Sequence, residues 1–183
     1  MWAADSVLAV SMGEKAFGDQ FSENLHAEHL NEVLNHEWLS ASVINVYARY
    51  LYDKFISLGG LTTKLCFLSP HESHDDLDGN KSIARILLIN NNKKVNDKMI
   101  LAPFNFGFVH WALFLIDPDA GIIYYLDPMA TDPTRHLNCK KILENALLIY
   151  RAYNLTKAVA KSKLNRITWI RIECLTLQTV AIL

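Results

Sequence analysis

Apolar residues recur along this chain at spacings that separate helices from strands. In the stretch that ends at Gly59-Gly60, they return every three or four residues, which predicts an amphipathic helix with Ser40 or Ser42 as its N-cap. Residues 137–153 repeat the helical spacing and predict another helix. One face of the earlier helix is expected to carry Leu39, Val43, Tyr47, Tyr50, Leu51, Phe55 and Leu58.

Shorter apolar runs rich in β-branched and aromatic residues predict strands. They occupy residues 99–103, 109–116, 122–126 and 167–172. Because helical and strand segments alternate within one stretch of chain, we expect an α+β domain in which helices flank a sheet. Residues 1–35 have weaker periodicity and are expected to form a loosely packed N-terminal extension, which leaves 36–183 as the domain.

The turn between two of these strands brings two titratable residues together. The loop Asp117-Pro118-Asp119-Ala120-Gly121 has turn-forming residues, and folding about a point between positions 118 and 119 sets His110 directly opposite Asp127. Opposed side chains have Cβ atoms about 5 Å apart, so the carboxylate would reach an imidazole nitrogen. Such a pair can orient a general base for a nucleophile, and it can equally be a structural histidine hydrogen-bonded to its neighbour. Geometry alone leaves both interpretations open.

The composition fits one compact domain, since 183 residues with 51% hydrophobic and 20% charged side chains are ample for a sizeable core. No apolar run approaches the roughly 20 residues that span a bilayer, so we expect no membrane partner. Three cysteines without regular spacing do not make a disulfide framework. The N-terminal residues lack a secretory pattern, and we therefore expect the protein in the nucleus or the cytoplasm.

The formal net charge of -1 hides an uneven distribution. Residues 134–172 contain nine basic residues and one acid, whereas the rest of the chain has nine basic residues and eighteen acids. A basic segment on an acidic body can bind an acidic partner, and it can also be the solvated face of a helix. Aromatic residues do not alternate with the basic ones, so we do not expect nucleic acid as a partner. The basic residues are Arg135, Lys140, Lys141, Arg151, Lys157, Lys161, Lys163, Arg166 and Arg171.

Several spaced motifs carry a family resemblance. Pro103-Phe104-Asn105 precedes His110-Trp111, and a strand and a turn then lead to Tyr124-Tyr125-Leu126-Asp127. Glu37-Trp38-Leu39-Ser40 lies upstream, and Trp169 and Glu173-Cys174 lie downstream. Over roughly residues 35–176, this pattern resembles the ubiquitin-like-protein-specific cysteine proteases, the SUMO-processing, adenain-like relatives of papain. It is most similar to their plant, transposon-associated branch.

The resemblance implies a papain-like α+β fold with a central, mostly antiparallel sheet flanked by helices. It implies hydrolysis of peptide or isopeptide bonds after the C-terminus of a SUMO-type ubiquitin-like protein, with no cofactor and no metal. In these roles His110 is the base that accepts the proton of a cysteine thiol, and Asp127 orients it. Trp111 is a wall of the cleft and Trp38 contacts substrate, while Gln178 donates a hydrogen bond to the oxyanion.

The chain departs from the family's pattern near its C-terminal end. The family has a Cys-Pro-x-Gln segment and then a Cys-Gly whose cysteine is the nucleophile, whereas this chain reads Cys174-Leu175-Thr176-Leu177-Gln178 and has no later Cys-Gly. Gln178 stands one position late and Cys174 matches a different family position, so no nucleophile is found. We therefore expect a truncated catalytic domain, incomplete at its C-terminus, that has little or no peptidase activity and associates with itself through the exposed face. The alternative is a non-catalytic pseudoprotease module that binds a ubiquitin-like protein or another acidic partner.

Overall fold

The structure is a computed structural model in which residues 6–72, 98–106, 110–129, 137–154 and 167–173 are described. A π-helical segment, Tyr52–Ser57, directly continues one helix, and a 3-10 turn spans Pro70–Glu72. Within the described residues, no helix is both long enough and apolar enough to cross a membrane. The helices and strands follow one another as β1 (Val7–Met12), α1 (Glu14–Phe17), β2 (Phe21–His26), α2 (Ala27–Leu34), α3 (Ala41–Leu51), β3 (Leu65–Phe67), β4 (Met99–Phe106), β5 (His110–Asp117), β6 (Ile122–Leu126), α4 (Leu137–Asn154) and β7 (Thr168–Ile172).

Five strands form the central sheet, in the order β3-β4-β5-β6-β7. The inner pairs, β4 with β5 and β5 with β6, are antiparallel, whereas β3 and β7 run parallel to their neighbours. The four strands predicted from residue 99 onward and the helix predicted over 137–153 are confirmed, with ends that differ slightly. The expected α+β class is confirmed as well, since the sheet has an antiparallel centre and helices pack against it.

One face of the sheet is buried beneath α4. Every second side chain of β4 is buried, as the period of two in a strand requires. Phe104, Phe114 and Tyr125 share one hydrophobic core with Leu143 and Leu147 of α4. This core holds β5 and β6 in place at the centre of the sheet.

Residues 7–26 pack into the protein, and the expectation of a loosely packed extension over 1–35 is wrong for this stretch. β1 and β2 pair antiparallel, with the short helix α1 between them. Met12 and Phe17 are almost fully buried, in a second core with Ala48, Tyr52 and Phe67. Few and scattered apolar residues make this contact, so hydrophobic periodicity did not reveal it. The domain boundary at residue 36 stays a prediction.

Helix α3 begins where the sequence predicted, but it turns a different face to the core. Ser40 is its N-cap, and its Oγ accepts the N–H of Val43 at 3.4 Å. The buried side of this helical segment contains Ala48 and Tyr52, and the β1–β2 hairpin packs against that side. The helical segment ends before Gly60, whose φ of 69° is the left-handed conformation typical of a glycine after a helix. Four members of the predicted apolar face are instead exposed: Tyr47, Tyr50, Phe55 and Leu58.

Candidate active site

A tight turn sets the register of the central hairpin. β5 ends at Asp117 and β6 begins at Ile122, and these two residues pair across the strands. The Asp117 side chain accepts the N–H of Ala120 at 2.9 Å, and the Asp117 carbonyl accepts the N–H of Gly121 at 2.9 Å. Gly121 has a φ of 68°, which glycine adopts without steric cost. Because Asp117 belongs to the strand, the loop has only the four residues 118–121.

The shorter loop moves the pairing by two positions from the predicted one. Leu113 pairs with Leu126, so the residue opposite Asp127 is Ala112, and the prediction that His110 lies directly opposite it is wrong. On the other edge of β5, His110 pairs with Phe106 of β4. A shift of two preserves the face of every side chain, because side chains alternate with a period of two. His110 and Asp127 therefore remain on the same face and meet diagonally.

The two side chains are in direct contact. His110 Nε2 lies 2.7 Å from Asp127 Oδ1, and the two side chains are 13% and 1% exposed. The same Oδ1 accepts the N–H of Met129 at 2.8 Å, while Oδ2 accepts the hydroxyl of Tyr125 at 2.6 Å. A carboxylate is an acceptor only, so Nε2 carries the proton that His110 donates to it. Nδ1 is then the ring nitrogen that can accept a proton from another group.

The imidazole ring is held by packing as well as by its hydrogen bond. The ring of His110 stacks on that of Phe106, with centroids 6.1 Å apart and an interplanar angle of 22°. Phe106 belongs to the core and is itself packed edge-to-face against Phe114, at 6.3 Å. The ring therefore has one preferred plane, as a base of fixed orientation requires.

The segment that precedes α3 is attached to the strand that carries His110. The indole N–H of Trp111 donates to the carbonyl of Leu39 at 2.9 Å. The N–H of Ser40 donates to the Glu32 carboxylate at 2.7 Å, which fixes the other side of this segment. Trp38, one residue before Leu39, is 71% exposed. Trp111 is thus hydrogen-bonded to the residue that follows Trp38 in the chain.

The cysteines of the described residues cannot act as nucleophiles where they lie. Cys66 and Cys139 are both buried. Burial raises the pKa of the Cys66 thiol from 9.0 to about 11, so the reactive thiolate is suppressed at neutral pH. The other two predicted residues, Cys174 and Gln178, lie outside the described residues.

Part of the basic segment is engaged within the protein. Of its nine basic residues, four lie in the described residues, and Arg151 among them is buried. Lys140 Nζ lies 3.9 Å from a Glu144 oxygen and 5.7 Å from the centroid of the Trp169 ring. Lys141 is exposed. In the described part of the chain, no group of three or more His, Cys, Asp or Glu side chains is arranged to hold a metal ion.

One residue of the site was missed at the level of sequence. Tyr125 stands two positions before Asp127, so its side chain points to the same face of the sheet. The alternation of strand residues would have placed the two together. A tyrosine at a buried strand position is usually interpreted as a core residue, however, and only the tertiary structure shows that its hydroxyl contacts the carboxylate.

Comparison with known proteins agrees with this architecture. A family model described as Ulp1 protease family, C-terminal catalytic domain, matches residues 37–179. An X-ray structure of the C-terminal Ulp1 protease domain in complex with Smt3, the yeast ortholog of SUMO, superposes with a TM-score of 0.57 at 15% identity, over 94% of this chain and 70% of that chain. SUMO protease Ulp1 with its catalytic cysteine oxidized to a sulfinic acid superposes at 0.56 and 16%, over 84% of this chain and 64% of that one. No relative was found among the curated proteins. At these identities the structural likeness shows the shared fold.

Proposed function

The chain belongs to the Ulp1 protease family, and from this membership we propose that it is a cysteine-type peptidase domain for conjugates or precursors of a ubiquitin-like protein. The bond cleaved would be the peptide or isopeptide bond after the C-terminus of that protein. The plant, transposon-associated branch of the family stays a prediction.

The observation that carries this proposal is the buried contact between His110 and Asp127. The Nε2–Oδ1 distance of 2.7 Å is that of a charge-assisted hydrogen bond. Oδ1 also accepts a backbone N–H, and Oδ2 accepts a hydroxyl, so the carboxylate cannot rotate away. A carboxylate held in this way fixes the tautomer of the imidazole and stabilises the imidazolium that forms during the reaction.

The chemistry follows from the free acceptor on the other ring nitrogen. His110 Nδ1 takes the proton of a cysteine Sγ–H, and the thiolate adds to the scissile carbonyl carbon. The imidazolium then gives this proton to the leaving amine as the C–N bond breaks and a thioester remains. Water, deprotonated by the same nitrogen, adds to the thioester and expels the thiolate, which takes the proton back. Gln178 is assigned the hydrogen bond to the oxyanion on the family pattern.

A ubiquitin-like protein of the SUMO type is the proposed partner. The Ulp1 domain to which this chain is similar was solved in complex with Smt3, the yeast ortholog of SUMO. The exposed Trp38 supplies apolar surface beside Leu39, whose carbonyl accepts the indole N–H of the half-buried Trp111, and the N–H of Ser40 holds the same segment to Glu32. Aromatic side chains such as tryptophan are enriched at interfaces, because they combine a large apolar ring with a polar N–H.

Turnover by this chain is proposed to be weak. A nucleophile must reach Nδ1 of His110 as a thiolate, and the thiols of Cys66 and Cys139 are buried in the core. Activity would therefore rest on Cys174, the remaining cysteine.

The decisive experiment is cleavage of a SUMO fusion by the chain, its His110→Ala variant and its Cys174→Ser variant. We expect binding of the SUMO moiety with little cleavage in all three. Cleavage that both substitutions abolish would overturn the proposed weak turnover and identify Cys174 as the nucleophile. The absence of both cleavage and binding would refute the proposed function.

A non-catalytic binding module is the second candidate, and the buried position of both described cysteines favours it. It predicts binding to SUMO that weakens with added salt and with the charge reversals Lys140→Glu and Lys141→Glu. Lys54→Glu, at an exposed position of the π-helical segment, is the matched control and should leave binding unchanged. A binding affinity that changes neither with salt concentration nor with any of the three charge reversals would eliminate this candidate.

A further inference from the structure

The carboxylate of the candidate site has a second side-chain anchor. Asp127 presents Oδ1 to His110 and Oδ2 to the hydroxyl of Tyr125, which lies 2.6 Å away. The N–H of Met129 also donates to Oδ1. Donors on both oxygens fix the rotation of the carboxylate about its Cβ–Cγ bond, and this rotation decides whether Oδ1 faces the imidazole.

The tyrosine that provides this anchor is itself immobile. Tyr125 is 0% exposed, and its ring stacks on Phe114 with centroids 5.2 Å apart and an interplanar angle of 26°. Phe114 is in turn held edge-to-face by Trp169, at 5.9 Å. A fully buried ring among close-packed neighbours does not change rotamer without disturbing the core. Its hydroxyl is therefore presented at one point.

We propose that Tyr125 is a positioning residue for the His110–Asp127 pair, which holds the Asp127 carboxylate so that Oδ1 remains in line with His110 Nε2. The inference rests on the proposed function, since it assigns a role within the same site. Tyr125 acts through Asp127. A buried hydroxyl is costly unless it is hydrogen-bonded, so the hydrogen bond to Asp127 stabilises the buried hydroxyl as well as the orientation of the carboxylate.

The substitution Tyr125→Phe isolates the hydroxyl, because it keeps the ring and its stacking on Phe114. Tyr124→Phe is the matched control: Tyr124 is the preceding residue of β6, and its side chain lies on the opposite, half-buried face of the sheet. A purely packing role for Tyr125 predicts that neither substitution changes the behaviour of His110.

The test is proton NMR of the full chain, which follows the Nε2–H of His110 by its exchange with water. The signal is assigned by its disappearance in His110→Ala. Tyr125→Phe should speed its exchange about tenfold or more, the factor that corresponds to one hydrogen bond to a charged group, while Tyr124→Phe leaves it unchanged. Equal exchange in Tyr125→Phe and the unsubstituted chain, or equal acceleration by both substitutions, would overturn the inference.

A measurement on the unsubstituted chain covers the case in which Tyr125→Phe fails to fold. The hydroxyl proton of Tyr125 should be protected enough from exchange to give its own signal, and a hydroxyl that exchanges too fast to be seen would overturn the inference. Failure of the proposed function would give a different NMR result. A chain in which no signal is lost on His110→Ala lacks the contact between His110 and Asp127 altogether, whatever Tyr125 does.

Discussion

Replacing Asp127 by Asn measures how far the candidate site depends on one buried carboxylate. The carboxylate accepts hydrogen bonds from His110 Nε2 at 2.7 Å, Met129 N at 2.8 Å and the Tyr125 hydroxyl at 2.6 Å. A carboxamide has only one oxygen, and its NH2 group is a donor. With the oxygen in the Oδ1 position, the NH2 meets the Tyr125 hydroxyl. With the oxygen in the Oδ2 position, the NH2 meets the N–H of Met129 and the ring of His110.

Either orientation leaves at least one buried donor without its acceptor and removes the negative charge beside the imidazole. Asp127 is 4% exposed, so water cannot replace the lost acceptor. A hydrogen bond to a charged group contributes about 1.5–3 kcal/mol, and we expect Asp127→Asn to lower the free energy of unfolding by about 2–3 kcal/mol. Asp53→Asn is the control, since Asp53 pairs with Arg49 at 2.8 Å through a side chain that is 51% exposed. An exposed pair of this kind should contribute no more than about 0.5 kcal/mol.

Urea unfolding of the three proteins at neutral pH, followed by circular dichroism, gives the comparison. The slope with urea should be the same in all three, so that the midpoints report stability. If Asp127→Asn unfolds within about 0.5 kcal/mol of the unsubstituted chain, as Asp53→Asn should, the carboxylate does not hold these donors. Asp127 would then not preorganise His110.

Three further predictions concern the rest of the fold. Burial raises the pKa of the Cys66 thiol from 9.0 to about 11, so the folded protein holds the thiol proton more tightly than the unfolded chain does. The stability that comes from this tighter binding of the proton is complete below pH 9.0 and is lost as the pH rises to about 11. In urea titrations the unsubstituted chain should therefore lose about 2–3 kcal/mol more than Cys66→Ala across that range, and parallel losses would contradict the assignment. Ser40→Ala removes the acceptor for the N–H of Val43 and should lower the free energy of unfolding by about 1 kcal/mol, whereas an unchanged urea midpoint would show that the cap is not formed. Trp111→Phe removes the donor to the carbonyl of Leu39 and should speed hydrogen exchange of the neighbouring backbone amides about fivefold; unchanged exchange would mean that other contacts hold this segment.

The sequence by itself determined four of the five strands of the central sheet and the face on which the candidate pair lies. Alternation with a period of two is a local property of each strand. His110 and Asp127 therefore share a face in the predicted register and in any register shifted from it by an even number of residues. The four strand segments and the helix over 137–153 were likewise recognisable from local spacing. The motifs around them were sufficient for the family, which the match over residues 37–179 confirms.

Only the tertiary structure decided which of these residues touch. Whether Asp117 ends the strand or belongs to the loop depends on two hydrogen bonds within the turn, and that choice moved the pairing by two positions. The exposed face of α3 could not be read from its aromatic residues, because the hairpin β1–β2 packs on the opposite side. The hydroxyl of Tyr125 acquires its role in the same way, from a carboxylate that three donors bring into one orientation. Spacing along a chain is set by each residue's own backbone, whereas contacts between segments are set by the packing that the whole chain achieves.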